Sequence, residues 1–533
     1  MRESLTATAD LVRFALRRDR VKLPIWVGAI GLGMLYAVSV LPTVYKTPEE
    51  RQVRARLMDS PSATMMSGPG YGLDDYTLGA MITNEMVLWL AVPAAMMSVF
   101  LVVRHTRAEE ETGRAELIRS AVVGRHAAPV AALIVALIAN AGIAVLTTLA
   151  MLSGDLAVTD SVAVGIGIGL TGLVFAGVAT VTAQLTEHAR AASSMAMAVV
   201  GGAFLLRAIG DAAEPGGSLV SWLSPLAWIQ QMRPFVELRW WPMLLSVAVT
   251  GLTVGGAYAL SGRRDVGAGL VPPRLGRADA APSLSTPFAL AFRQQRVALV
   301  GWSIGLFIFA VATGSLSGSV TEAAAESPEM TKIFAANGQE PTDGFFARMA
   351  LFFALMIAAF AITSVLRLRS EERTGHAEAV LATAVSRRRW ISSWLGFTTA
   401  ASAFLLLVSG LGVGLGAVSG GSGAGVIGEV LLATIAYLPP VVVVIGLTAA
   451  LFGLRPGVAV WAWLLIVYAF FFGMFGALLE LPDVVADLSP FNHLTVMPLD
   501  RIEALPLILL AAIAAALLMI GRTTFERRDL DVP

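Results

Sequence analysis

Apolar runs of membrane-spanning length, separated by short charged stretches, dominate the chain. They lie near 24–42, 86–103, 128–152, 162–184, 193–212 and 242–260, and again near 297–316, 346–366, 391–417, 427–452, 457–478 and 504–521. A bilayer core of about 30 Å needs roughly 20 apolar residues per helix. The pattern therefore predicts an all-α membrane protein with about twelve transmembrane helices. The first run continues to full spanning length without a clear small-residue cleavage site, so no cleavable signal is expected.

The polar stretches between the runs set the expected orientation, because Lys and Arg are retained on the cytoplasmic side. Arg13, Arg17, Arg18, Arg20 and Lys22 precede the first run. Arg104, Arg107, Arg114, Arg119 and Arg125 follow the second, and Arg367, Arg369, Arg373, Arg387, Arg388 and Arg389 follow the eighth. The links near 153–161 and 418–426 carry no basic residue. Both termini are expected in the cytoplasm of a multi-pass protein of the cell membrane. The outer segment 43–85 also holds Lys46, Arg51, Arg54 and Arg56, but Glu49, Glu50, Asp59, Asp74 and Asp75 accompany them.

Four anchors recur in the same order along the chain. Leu16–Trp26 matches Phe292–Trp302 at an offset of 276, and Arg107–Glu116 (RAEEETGRAE) matches Arg369–Glu378 (RSEERTGHAE) at 262. Leu223-Ser224-Pro225 matches Leu488-Ser489-Pro490 at 265, and Arg263-Arg264-Asp265 matches Arg527-Arg528-Asp529 at 264. Such order at a nearly constant offset indicates duplication. Six spans per half bring both halves in from the same side, so they are expected to be parallel repeats, a fused pseudo-dimer. The expected division is a first half over 1–265, a cytoplasmic linker over 266–287 containing Pro272, Pro273, Pro282 and Pro287, and a second half over 288–533.

Composition narrows the function. Of 533 residues, 56% are hydrophobic and only 14% charged, where a soluble protein carries roughly 25% charged. With a mean hydropathy of +0.73, an ordinary cytosolic enzyme is excluded. Basic and acidic residues balance at 38 each, which removes bulk attraction to nucleic acid. The absence of cysteine rules out disulfides, thiolate metal sites and cysteine catalysis. The three lysines, Lys22, Lys46 and Lys332, follow Val21, Tyr45 and Thr331, so the Gly-Lys pair of a phosphate-binding loop is missing. No catalytic residue, metal site or cofactor is expected in this chain.

The duplicated R-x-E-E-x-T-G-x-A-E segment is the strongest local signal. Its candidate residues are Arg107, Glu109, Glu110, Thr112, Gly113 and Glu116, with Arg369, Glu371, Glu372, Thr374, Gly375 and Glu378. Thr112 and Thr374 are placed to cap a short helix whose first turn holds Glu116 or Glu378. A solvated membrane-surface turn would also suit one copy; repetition under the same spacing favours a paired docking surface.

The segment resembles the coupling-helix region of ABC-2 type permeases. Leu223-Ser224-Pro225, Arg233-Pro234-Phe235 and Arg239-Trp240-Trp241-Pro242, with Gly68-Pro69-Gly70-Tyr71-Gly72-Leu73-Asp74-Asp75-Tyr76, are similar to the fused branch of polyketide-antibiotic or tetronasin-type exporters. The second half has no Gly-Pro-Gly-Tyr-Gly run near 317–345. The resemblance covers essentially the whole chain. It implies a permease working with a separate ATPase, two copies of which dock on the paired segments and carry the ATP and Mg. It also implies an elbow helix in the interface before the first span of each half, and a central path lined by the second and fifth helices of each half. The cargo it implies is a small hydrophobic or amphipathic compound, a drug or antibiotic.

Intramembrane charge is sparse. Arg207 and Asp211 sit four apart at the end of the fifth run, suited to a structural ion pair, a gate or a substrate contact. Glu429 and Arg348 lie at span ends, and all five histidines lie outside the span cores, which disfavours a proton relay. Trp89, Met96, Met97, Met195, Phe204, Phe352, Phe353 and Tyr468 are candidates for an apolar path or for ordinary packing. An ion-gradient-driven drug transporter and a lipid exporter are the alternative functions.

Overall fold

The computed structural model describes residues 3–265, 267–272, 276, 279–318, 320–321, 340–479, 487–494, 497 and 503–530. The expectations placed on Pro273 and on most of the outer stretch 317–345 lie outside these residues. Among the described residues every regular element is helical, and eleven helices are long and apolar enough to cross a membrane. The twelfth expected span is a shorter apolar stretch, Val458–Phe470. The protein is an all-α membrane protein. The chain divides into two compact units, Met1–Gly276 and Arg277–Pro533.

In the first unit, α1 (Thr8–Arg18) precedes the span α2 (Lys22–Val44), and α3 (Pro48–Met58) and α4 (Pro61–Ser67) lead to α5 (Leu78–His105). Two short helices, α6 (Arg107–Glu111) and α7 (Arg114–Arg119), precede α8 (Ala127–Leu152), α9 (Val158–Leu185) and α10 (Ala189–Ala213). Then α11 (Leu219–Trp222) and α12 (Pro225–Gln230) lead into α13 (Pro242–Ser261). Thr77 begins α5 by accepting from the Ala80 amide at 3.2 Å, the usual way to satisfy an orphan helix-start donor. The core gathers around α5 and α9, which are buried over most of their length, whereas α2 and α13 leave most of theirs exposed. A fully apolar helix with an exposed face is stable only against lipid.

The second unit repeats this order. It comprises α14 (Pro287–Gly314), α15 (Pro341–Arg373), α16 (His376–Leu381), α17 (Arg387–Ser419), α18 (Val426–Ile435), α19 (Leu438–Leu454), α20 (Trp463–Leu479) and α21 (Ala504–Arg527). One difference is informative. In the first unit the elbow α1 is separate, because Asp19 leaves the helical conformation as its C-cap and its carboxylate is taken by Arg104 and His105. The corresponding Gln295 stays inside α14, its side-chain oxygen accepting from Ser364 Oγ at 2.7 Å. The second unit therefore has one continuous helix where a separate elbow was expected.

Glycines set the helix spacing. A Cβ on Gly416 would lie 2.2 Å from the Val311 carbonyl of α14, and one on Gly314 would lie 2.1 Å from the Val413 carbonyl of α17. A Cβ on Gly412 would lie 2.7 Å from Ala310 Cβ of α14, and one on Gly420 2.6 Å from the Ser315 carbonyl just past its end, a small-residue stripe at every fourth position that lets backbones approach closely. Gly416→Ala is expected to cost about 1–3 kcal/mol by overpacking. Gly305→Ala on the open face of α14, where nothing lies within 4 Å, should not. Melting of both variants in detergent checks this, and equal midpoints would refute it.

Candidate functional site

The duplicated charged segment lies at the end of α5 and of α15. In the first unit α6 ends at Thr112, which donates its hydroxyl back to the Ala108 carbonyl at 2.9 Å. Gly113 then turns the chain at φ 71°, and α7 follows with Glu116 in its first turn. The second unit repeats the construction: Thr374 donates to the Ser370 carbonyl at 2.9 Å, Gly375 has φ 75°, and α16 carries Glu378 in its first turn. The threonines thus close the preceding helix and do not cap the following one. A hydroxyl at the last turn finds a free carbonyl behind it before it finds an amide ahead. Glycine is required at the turn because only it adopts a left-handed conformation without strain.

Within each segment the carboxylates divide into an inner set and an outer one. Glu110 is gripped by Arg264, Nη1 to Oε2 and Nη2 to Oε1 at 2.9 Å each. Glu372, fully buried as a side chain, meets Arg528 at 2.7 and 2.8 Å. Arg107 bonds Glu110 and donates to the Gly267 carbonyl at 2.8 Å. Glu109 pairs with Arg18 of the elbow and lies 3.9 Å from Arg114. Glu371 accepts from Gln294 at 3.3 Å and faces His376 at 3.5 Å. Glu116 and Glu378 are exposed.

These contacts correspond pair by pair under the sequence offsets, although the partners lie 77 to 156 residues apart. Glu110 with Arg264 answers Glu372 with Arg528, and Arg18 with Glu109 answers Gln294 with Glu371. Arg125 donates to the carbonyls of Ser261 and Arg264 at 2.9 and 3.3 Å. Arg387 likewise donates to the carbonyl of Arg528 at 2.6 Å. Arg264, Arg528, Arg125 and Arg387 were visible in the sequence only as repeated anchors or a basic run; the bonds of the first two to the motif, and of the last two to those arginines, were not. The units also differ. Glu111 accepts from the Ala189 amide at the start of α10 at 2.8 Å, while its counterpart is Arg373. Leu117 and Val122, 75% and 85% exposed, stand where the second unit has Ala379 and Ala384. A cavity of about 80 Å³ separates α1 from α7 and α8, lined by Phe14, Ile118 and Val123 among others.

Arg207 and Asp211 occupy the opposite end of the first unit, since α10 runs about 37 Å from the Glu111 contact to its last turn. Both side chains are fully buried and 3.2 Å apart. Arg207 also donates to the Thr64 and Met65 carbonyls of α4, and Gln230 donates to the Ser67 carbonyl beside it. Asn84 bonds Tyr71 through both backbone groups, and the Tyr71 hydroxyl donates to the Gly216 carbonyl at 2.9 Å. Burial pushes the Tyr71 hydroxyl up to about 12, so it remains a donor at any physiological pH. Arg54 lies across Glu85 at 2.8 Å. Together these contacts pin the segment 48–77, onto α5 through Glu85 and Asn84 and onto α10 through Arg207. Of the path candidates, Met97 and Phe353 are buried in the cores of their own units. Met96, Phe204, Phe352 and Tyr468 are half-buried, and Trp89 and Met195 are exposed.

The family described as multidrug efflux system permease Rv1217c, C-terminal domain, matches residues 10–260 and 284–526, one stretch in each compact unit. The chain is 38% identical over 531 residues to the multidrug efflux system permease protein Rv1217c of Mycobacterium tuberculosis, covering 98% of this chain and 95% of that protein. The chain belongs to this family of permeases.

Proposed function

We propose that this member of the multidrug efflux permease family is the membrane subunit of an ATP-driven ABC exporter of the ABC-2 type, moving hydrophobic or amphipathic compounds such as drugs out of the cell. Two copies of a separate ATPase subunit bind it from the cytoplasm, one at α6–α7 and one at α15–α16, and bring the ATP and Mg. The chain itself breaks no bonds. In this reading the units are parallel repeats of one six-helix ancestor, and both termini face the cytoplasm of the cell membrane.

The observation that carries the proposal is the duplicated segment. In each unit a short helix with an exposed first-turn carboxylate stands on an internally paired, buried base. A base locked by ion pairs holds its position under load, while the exposed turn is left for a partner. The missing Gly-Lys pair agrees, since the energy source then lies outside this chain.

Reconstituted inside-out vesicles test the proposal. ATP together with the co-purified ATPase subunit should drive drug accumulation, and a protonophore at constant ATP should leave it unchanged. Accumulation that collapses with the gradient while ATP persists would establish a secondary transporter instead. Translocation of labelled phospholipid but no drug would make lipid the cargo.

A further inference from the structure

We infer that Arg264 and Arg528 are positioning residues that tie each ATPase-docking segment to the last span of its own unit. The inference rests on the docking role proposed above. Both arginines belong to the Arg-Arg-Asp tail that follows α13 and α21, a repeat to which the transport reading otherwise assigns no task.

The tie recurs in both units, with a different guanidinium geometry in each. Arg264 closes a two-point fork on Glu110 at 2.9 Å and places Nε on Gln184 Oε1, at the end of α9, at 2.7 Å. Arg528 bonds both oxygens of Glu372, and its guanidinium lies over the rings of Phe452 and Phe525 at 4.9 and 5.0 Å. Side-chain exposure is 9% and 11% in the first pair and 13% and 0% in the second, so bulk salt screens neither strongly. Each arginine is also held by its backbone carbonyl, by Arg125 or Arg387. A displacement of the docking segment is therefore delivered to the end of the sixth span.

From there the route continues to the fourth span. A Cβ on Gly177 of α9 would lie 2.1 Å from Thr253 Oγ1 of α13. One on Gly453 of α19 would lie 2.6 Å from the Gly521 carbonyl of α21. Helices in such contact move together, because packed interiors transmit displacement and do not absorb it. The elbow contact, by comparison, is an ion pair in the first unit and an amide-to-carboxylate hydrogen bond in the second. What the units share is the arginine tie. A lysine would supply charge without the fork on Glu110 or the guanidinium plane over Phe452 and Phe525, and so would hold the segment without fixing its orientation.

The test compares transport with hydrolysis in the assembled complex. In Arg264→Gln with Arg528→Gln, the ATPase subunit should co-purify at the normal ratio and ATP hydrolysis should continue. Drug moved per ATP should fall at least about fivefold, the lower range of coupling between sites. Arg264→Lys with Arg528→Lys should give an intermediate ratio, and serves if the glutamine variants do not fold. Exchange of the partners, Glu110→Arg with Arg264→Glu and Glu372→Arg with Arg528→Glu, should restore part of the ratio. An unchanged drug-to-ATP ratio in folded variants overturns the inference. So does a proportional fall in transport and hydrolysis, which marks the pairs as stabilising only. If the unaltered chain binds no ATPase, the docking role fails first and takes the tie with it.

Discussion

Glu116→Arg combined with Glu378→Arg is expected to abolish ATP-driven drug export while leaving the permease folded. Both carboxylates are exposed, and neither has an ion-pair partner among the described residues. The substitution removes only a favourable interaction with the start of a short helix, which is small and screened by water. Stability should therefore change little. Docking should change greatly, because a reversed charge at the centre of each contact turns attraction into repulsion, and like-charge juxtaposition costs several kcal/mol. Transport in vesicles, ATPase retention and thermal melting are measured together. Full transport by the double variant would show that these turns do not bear the partner. The glutamate pairs beneath them make an instructive contrast: Glu110→Gln or Glu372→Gln should lower the melting midpoint, since each leaves a buried arginine without its counter-charge.

Arg207→Met is expected to be the most destabilising single substitution at the opposite end of the first unit, by about 3–5 kcal/mol. The guanidinium is fully buried, faces Asp211 at 3.2 Å and donates to two carbonyls of α4. Removing it strands a buried carboxylate and loosens the segment 48–77 at α4, whose hold on α10 runs through those carbonyls. Limited proteolysis should cut that segment first, before the spans. Replacing both partners, Arg207→Met with Asp211→Leu, should recover much of the loss, because a buried pair exchanged for apolar groups is often neutral. If Arg207→Met melts like the parent and the segment stays protected, the pair is not what pins it. A gating role would show differently, as altered export at unchanged stability.

Much of the fold was legible in the sequence because lipid imposes a coarse rule. A helix must be long and apolar to cross, and that reads directly from composition. The duplication was legible too, through Arg107–Glu116, Arg263–Asp265 and their counterparts. The partners were not. Glu110 and Arg264 lie 154 residues apart, and no local pattern says that one waits for the other. The fate of Asp19 against Gln295 was equally hidden. The family resemblance implied two elbows, but an aspartate taken by Arg104 and His105 ends a helix, while a glutamine bonded to Ser364 lets it run on. Thr112 and Thr374 show the same limit at one turn's scale, since a hydroxyl serves either side of a helix break.

The sequence by itself determined that this chain lives in a membrane, that it is built twice, and that it lacks the phosphate loop needed to use ATP alone. Those properties depend on composition, length and repetition, which need no coordinates. Tertiary structure alone decided which of the repeated charges are internal fittings and which are exposed. It sank Glu110 and Glu372 against arginines from the far end of each unit, left Glu116 and Glu378 outside, and buried Met97 and Phe353 in the cores of their own units. The physical reason is that burial and pairing are properties of where helices meet. In this protein that meeting is set by glycines, which let backbones touch, and by arginine–glutamate pairs, which form only when the helices bring both partners within reach.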